Sequence, residues 1–560
     1  MHWPISGSVQ TLMLKGKLFR KMFSRINDYN SYMGFIVFVI IILIIFFSHT
    51  LPESVNEKSR LALIESILKH NVVWTDHSIY LNFFDMIFRN GHYYSDKPPL
   101  LALYSLFFTL PINELIDINS KTGKAIFYYW ITITSSGTAL IIIYHIFNKL
   151  AEIFKIENRI RNWSFLGLIL GTCLLPYFQV YNDHIICTAI TFTLLYVLVL
   201  YRLKQKRSLI LVSGLLVGMC FLIHPFPGII SSVSTLLYFL RSHVKNVLSY
   251  FAGVSCVILI GLVIHFFLYG TFKPFYFSPE YYFYTITYKQ KKYLNIWFKN
   301  PAQPGLTEEK LISRCKELNM SDKVIKETVH KLRDYKKSIK NPIAFMLKRL
   351  IEYDYLIFNP LVIFCIVLLM RLLCLREFFF RFEFLWAALT ILGMYFGAVF
   401  LRSFPGGSFG NRHLIPILPL IVFSSSIQLK EGQNLDVFKI LFWFSFASIL
   451  PGTFAPWKIP NLSYQIVNIC IYVILIVYIM AYFILNNFNK RIFTPYISTM
   501  TSRVLIVTGL AALFVGEIII FYHDSITSIV QPRIFIYMCI AIILYALNST
   551  VGKKHFPNKK

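Results

Sequence analysis

The chain is 560 residues long, 56% hydrophobic and only 15% charged. A water-soluble protein of this length would carry far more charged surface, so the composition excludes an ordinary multi-domain globule. The formal net charge of +28 would suggest nucleic acid in a soluble chain. Here much of it sits in short connections between apolar runs, the cytoplasmic marking of a membrane protein, so no nucleic-acid partner is expected.

Residues 1–30 form a basic segment containing Lys15, Lys17, Arg20, Lys21 and Arg25, expected in the cytoplasm. The apolar run that follows is too long and continuous for a signal peptide and lacks a small-residue cleavage pattern, so it reads as a retained span near 33–48. Further spans are predicted near 125–147, 163–180, 184–202, 208–224, 226–241, 247–269, 356–371, 382–400, 412–428, 438–453, 465–486, 503–521 and 534–547. The connections 148–162, 203–207, 242–246, 372–381 and 487–502 then lie inside, and they carry Lys149, Arg159, Lys204, Arg207, Lys245, Arg376 and Lys490 among others.

The expected fold is therefore an all-α polytopic membrane protein of about 14 spans. Residues 31–430 form its transmembrane core, 431–550 its C-terminal helices and 551–560 a basic cytoplasmic tail. Two large soluble pieces, 49–124 and 270–355, fall on the outer face. The second is basic, with 17 Lys/Arg against 9 Asp/Glu, against the charge rule, which weakens for long translocated segments. The apolar stretch 98–110 is too short to cross at about 1.5 Å per residue, and reads as a helix lying in the membrane interface. A pore or carrier rarely needs two such outer loops, whereas an enzyme working at the outer surface does. The nine cysteines show no close-spaced metal pattern.

In the first outer loop Glu57 and Arg60 are three apart and share a helix face, which turns either to water or into a cleft. Asp96-Lys97-Pro98-Pro99 fixes the backbone directly after two charges. Its lysine suits a phosphate at headgroup depth, or simply snorkels there. Asp183, in Tyr181-Asn182-Asp183-His184, stands between two apolar helices, where an acidic group is either a turn residue or wet, paired or used. His224, before Pro225-Phe226-Pro227, occupies a similar corner. Arg412 closes the glycine-rich stretch 402–413, where it could clamp a phosphate. No nucleotide-type phosphate loop is present. Two carboxylates and two cations on one face are the inventory for moving a group off a phosphate to a hydroxyl.

Asn56-Glu57-Lys58-Ser59-Arg60-Leu61-Ala62-Leu63, a spacer, and Gly91-His92-Tyr93-Tyr94-Ser95-Asp96-Lys97-Pro98-Pro99-Leu100-Leu101 resemble the signature of multi-span, lipid-carrier-dependent glycosyltransferases. That superfamily contains the protein O-mannosyltransferases and the lipid A aminoarabinose transferase. The resemblance runs through Gly410-Asn411-Arg412-His413-Leu414-Ile415-Pro416, over about residues 30–430.

It implies a GT-C membrane fold with helical extracytoplasmic loops in the plasma or inner membrane, with the active site outside. It also implies a polyprenyl-phosphate sugar as donor and a lipid, glycan or protein hydroxyl as acceptor. On this resemblance Glu57 is the general base and Asp183 assists it. Lys97 and Arg412 hold the donor phosphate, with Arg60 in the substrate-binding set; His224 is added to that set from its corner position alone, where it is otherwise a polar turn residue. Relatives often carry Asp or Asp-Glu where this chain has Asn56-Glu57. No cofactor or metal ligand set is assigned; relatives differ in metal dependence, which leaves a divalent cation open. The competing reading is a polytopic transporter or lipid flippase, which would predict repeats and ionisable groups at mid-membrane.

Overall fold

The computed structural model describes residues 29–81, 85–240, 244–275, 283–288, 291–296, 308–317, most positions between 321 and 333, and 359–375, 378–400, 412–431 and 434–454. The predicted spans near 465–486, 503–521 and 534–547, the basic tail and almost all of the N-terminal segment lie outside the described residues.

Helix α1 covers Tyr29–Phe46 and α2 covers Val55–His70. A hairpin of β1 (Met86–Arg89) and β2 (His92–Ser95) precedes α3 (Leu100–Thr109). Helix α4 (Lys121–Thr132) runs through a π-helical turn, Ile133–Gly137, into α5 (Thr138–Ile153). Next come α6 (Asn158–Leu170), the short α7 (Leu174–Phe178), α8 (Asp183–Lys204), α9 (Arg207–Ile223), α10 (Pro225–Phe239) and α11 (Val244–Tyr269). A second hairpin pairs β3 (Phe283–Tyr288) with β4 (Lys291–Ile296), and α12 spans Glu308–Glu317. Helices α13 (Pro360–Cys374), α14 (Arg381–Phe400), α15 (Leu418–Ser426) and α16 (Asn434–Phe454) follow among the described residues.

Among the described residues, three helical stretches are individually long and apolar enough to cross a membrane: Lys121–Ile153, Asp183–Lys204 and Val244–Tyr269. Shorter apolar helices pack around them. The core they build is large, with Phe165 and Phe423 packed edge to face on Phe147 and Phe192 tilted against it. Helices α9 and α11 approach almost backbone to backbone: a Cβ on Gly214 would stand 2.3 Å from the Tyr250 carbonyl oxygen, and one on Gly253 2.4 Å from that of Leu211. Gly214 and Gly218 are four apart, the small-residue stripe that lets membrane helices close on one another.

Two expectations require correction. The two large pieces expected on the outer face are not purely helical, since each carries an antiparallel two-stranded hairpin. The span expected at 163–180 is broken at Gly171, where a bound carbonyl takes the place of a helical turn: Asn359 Nδ2 donates to Gly171 O at 2.9 Å. A break inside apolar surroundings is tolerated only when the released backbone groups find such partners. The stretch 98–110 is a ten-residue helix, α3, with a one-turn extension. Phe107 and Leu110 are exposed on it.

The helix ends meet at two mouths. At one, Asp183, His184, His224 and His413 come together, close to the lysine that follows the first hairpin. At the other, the Tyr238 hydroxyl donates to Glu383 at 2.5 Å, and Arg159 pairs with Glu431 at 2.8 Å.

Candidate active site

The first mouth is built on α2. Its N-cap, Ser54, accepts from the Glu57 amide at 3.1 Å, and Glu57 Oε2 accepts in return from the Ser54 and Glu53 amides at 2.8 and 2.9 Å. This reciprocal capping box is the reason the helix starts there. Glu57 Oε1 accepts from the Tyr128 hydroxyl at 2.5 Å, and Tyr128 in turn accepts from the Tyr181 amide at 3.2 Å. Both oxygens of Glu57, a fully buried residue, are thus committed to holding α2, α4 and the segment before α8 together.

One turn on, Ser59 Oγ donates to the Asp85 carbonyl at 2.6 Å and meets Ser95 Oγ at 2.8 Å, so α2 grips the base of the first hairpin on both strands. The hairpin turns at Asn90-Gly91, both with positive φ (52° and 84°), the geometry of a tight type I′ turn. Asp76 fastens its second strand, accepting from the Tyr93 amide at 2.7 Å and lying 2.6 Å from His92 Nδ1. Strand β2 therefore delivers Lys97 to a fixed place, and Pro98-Pro99 turn the chain into α3. Lys97 Nζ lies 3.1 Å from Asp85 and 3.3 Å from Asp96, all three side chains buried. Burial holds the Lys97 ammonium below its ordinary pKa of 10.5, and the Asp85 carboxylate pulls it part of the way back.

Arg60, also buried, reaches across 123 positions of sequence to place Nη2 2.6 Å from Asp183 Oδ2. Asp183 opens α8 just after its N-cap, Asn182, whose Oδ1 accepts from the Ile185 amide at 3.0 Å. In the first turn the helix's own amides favour its negative charge. Its other oxygen, Oδ1, stands 3.7 Å from His184 Nε2. Tyr181 OH meets Ser105 Oγ at 3.0 Å and donates to the Leu101 carbonyl at 3.3 Å, tying α3 to the same segment. Burial pushes its phenol up to about 12, so it remains a donor.

His224 caps α10, its Nδ1 accepting from the Phe226 amide at 3.3 Å. Its ring lies 4.9 Å from that of His184 and 5.7 Å from that of His413, and His184 and His413 are 5.1 Å apart. All three are buried. Arg412, half-buried, is the chain neighbour of His413 and opens the 3₁₀ turn Arg412–Ile417. The glycine-rich residues before it, 401–411, lie outside the described residues. Of the residues predicted from sequence, Arg60 and Asp183 meet directly. His224 and Arg412 reach the mouth on separate elements, and Glu57 is linked to it through Tyr128. Sequence reasoning missed Asp85, Tyr128 and the convergence of His184 and His413 on His224.

A mainly apolar cavity of about 180 Å³ lies between α9 and α11, with Lys97 in its lining. Asp96, Pro98, Leu222, Val257 and Gly261 are among its lining residues.

Fold and site together define a helical membrane protein with a buried, charged site at one mouth of its bundle. No family model matches the chain, and no curated protein matches it by sequence. Among solved structures it is similar to ArnT from Cupriavidus metallidurans bound to undecaprenyl phosphate, at 12% identity and a TM-score of 0.46, over 87% of this chain and 76% of that one. The same protein in the apo state gives a TM-score of 0.44 over the same shares. The Archaeoglobus fulgidus oligosaccharyltransferase in the apo form gives 0.39 at 12% identity, over 78% of this chain and 53% of that one.

Proposed function

We propose that the chain is an inverting glycosyltransferase that moves a sugar from a polyprenyl phosphate to a hydroxyl acceptor at the extracytoplasmic face of the membrane. The observation that carries this reading is the apolar cavity between α9 and α11, whose lining includes Lys97. An isoprenoid chain needs an apolar channel and its phosphate needs a cation, and here the two adjoin. The cavity has room for the head-proximal part of the chain, and the rest would lie in the bilayer along α11, many of whose side chains face outward.

In this reading the acceptor oxygen attacks the anomeric carbon as the bond from that carbon to the phosphate oxygen breaks. The electron pair leaves with the polyprenyl phosphate, whose growing charge is met by Lys97 and by Arg412. Asp85 and Asp96 hold Lys97 in place, so little ordering is left for the reaction step. The acceptor proton goes to a carboxylate. We assign it to Asp183, in preference to Glu57. Asp183 Oδ2 is oriented by Arg60 and Oδ1 lies 3.7 Å from His184 Nε2, whereas the oxygens of Glu57 already accept three hydrogen bonds. The acceptor is a lipid, glycan or protein hydroxyl. The basic connections at the opposite mouth, with Arg159, Arg202, Lys204 and Arg207, support a cytoplasmic position for that end.

The test is transfer from a panel of radiolabelled polyprenyl-phosphate sugars by the full-length protein in proteoliposomes, beside Asp183→Asn. Wild-type protein should move label off the carrier, and the variant should lose at least about 100-fold. Full transfer by Asp183→Asn would remove it as the base. No transfer by folded protein across the panel would sink the enzyme reading and make lipid flux the next assay.

A further inference from the structure

The buried histidines at the first mouth come from three elements far apart in the chain: His184 from α8, His224 from the α9–α10 corner and His413 from the turn before α15. One ring nitrogen of each lies within 4.8 Å of the others. We infer that His184, His224 and His413 bind one divalent transition-metal ion of the zinc class. Coordination at about 2.0–2.1 Å in a tetrahedral site places the three nitrogens about 3.4 Å apart, so each ring need move only about 1 Å. Side-chain torsions alone can supply that shift.

Three neutral imidazoles are a nitrogen-only donor set, which favours zinc, cobalt, nickel or copper over magnesium or calcium. Three protein ligands leave the fourth position open. Asp183 Oδ1, 3.7 Å from His184 Nε2, is a charged oxygen placed to fill or orient it. The cluster has a carboxylate contact in Asp183, which also pairs with Arg60, so the cation would sit beside a negative charge. Loading His224 through Nε2 places its proton on Nδ1 and gives up the Phe226 amide contact. That contact is one long hydrogen bond at 3.3 Å, exchanged for a coordinate bond. The ion would lock three helix ends together beside Asp183, and its binding does not rest on the glycosyl-transfer reading.

The experiment is cobalt titration of the full-length, chelator-treated protein in detergent. Expected are absorption bands between about 500 and 650 nm, typical of tetrahedral cobalt, saturating at one equivalent and displaced by zinc. His224→Asn and His413→Gln should each weaken binding by more than about 100-fold, beyond the usual loss of an outer-shell partner. His145→Gln, exposed on α5, should change nothing. Wild-type protein that shows no bands and no stoichiometric metal overturns the site, as do bands that persist in a variant lacking all three histidines. If the variants fail to fold, X-ray absorption of the zinc-loaded wild type decides instead. Three nitrogen neighbours near 2.0 Å support the site, and an oxygen-only shell overturns it.

Discussion

Arg60 and Asp183 form an ion pair at 2.6 Å with both side chains largely withdrawn from water. The pair ties α2 to the start of α8, a helix long and apolar enough to cross a membrane. Removing one partner leaves a buried charge alone, so Arg60→Met or Asp183→Asn should each lower stability by about 3–5 kcal/mol. The double variant should recover much of that loss, because no charge then remains buried. Thermal denaturation in detergent of the four proteins measures the coupling. Additive losses would show that the two side chains do not act as a pair.

Glu57 separates a structural role from a chemical one. A glutamine at this position of a capping box still accepts from the Ser54 amide, so Glu57→Gln should keep both fold and transfer within a few-fold of wild type. Glu57→Ala removes the cap and strands the Tyr128 hydroxyl, at a combined loss of about 2–4 kcal/mol. Transfer assays and melting curves on the two variants decide. Loss of transfer in a stable Glu57→Gln protein would return the base role to Glu57.

Much of this arrangement was legible in the sequence, and the remainder has identifiable causes. The apolar runs mark the helices because a period-free run of that length has few other places to go. The SDKPPL motif located Lys97, but the hairpin that presents it was overlooked even though Asn90-Gly91 is a strong turn signal. Ser54 and Glu57 have capping-box spacing, and that local role competes with the catalytic one suggested by resemblance. The meeting of His184, His224 and His413 was not legible. Each histidine alone is an ordinary polar residue at a helix end, and only the packing of α8, α10 and α15 makes them neighbours.

The contact between α9 and α11 also sets the width of the apolar cavity. A side chain at Gly214 would strike the Tyr250 carbonyl, a backbone atom that cannot swing aside. Gly214→Val should destabilise the protein by at least about 1–3 kcal/mol. Gly34→Ala, where a Cβ would meet nothing within 4 Å, should be neutral or slightly stabilising. Melting temperatures of the two variants check this. Equal behaviour would mean that the two helices do not sit at this distance.

Lys97 gives the site a pH dependence whose sign can be worked out. Its folded pKa lies below the ordinary 10.5 because burial disfavours the charge. Between that lowered value and 10.5 the unfolded chain holds a proton that the folded chain has released, so in this window Lys97 makes stability rise with pH. Activity should move the other way: a neutral amine cannot hold the donor phosphate, so transfer falls as pH climbs through the same window. Loss of rate therefore cannot be assigned to unfolding driven by this residue. Lys97→Arg keeps its charge throughout and should remove that alkaline limb even if its overall rate is lower. Lys97→Met should be slow at every pH. The measurement is kcat/KM against pH for the three proteins, with melting temperatures taken at the same points. An alkaline limb that persists unchanged in Lys97→Arg would assign the titration to another group and remove Lys97 as the phosphate ligand.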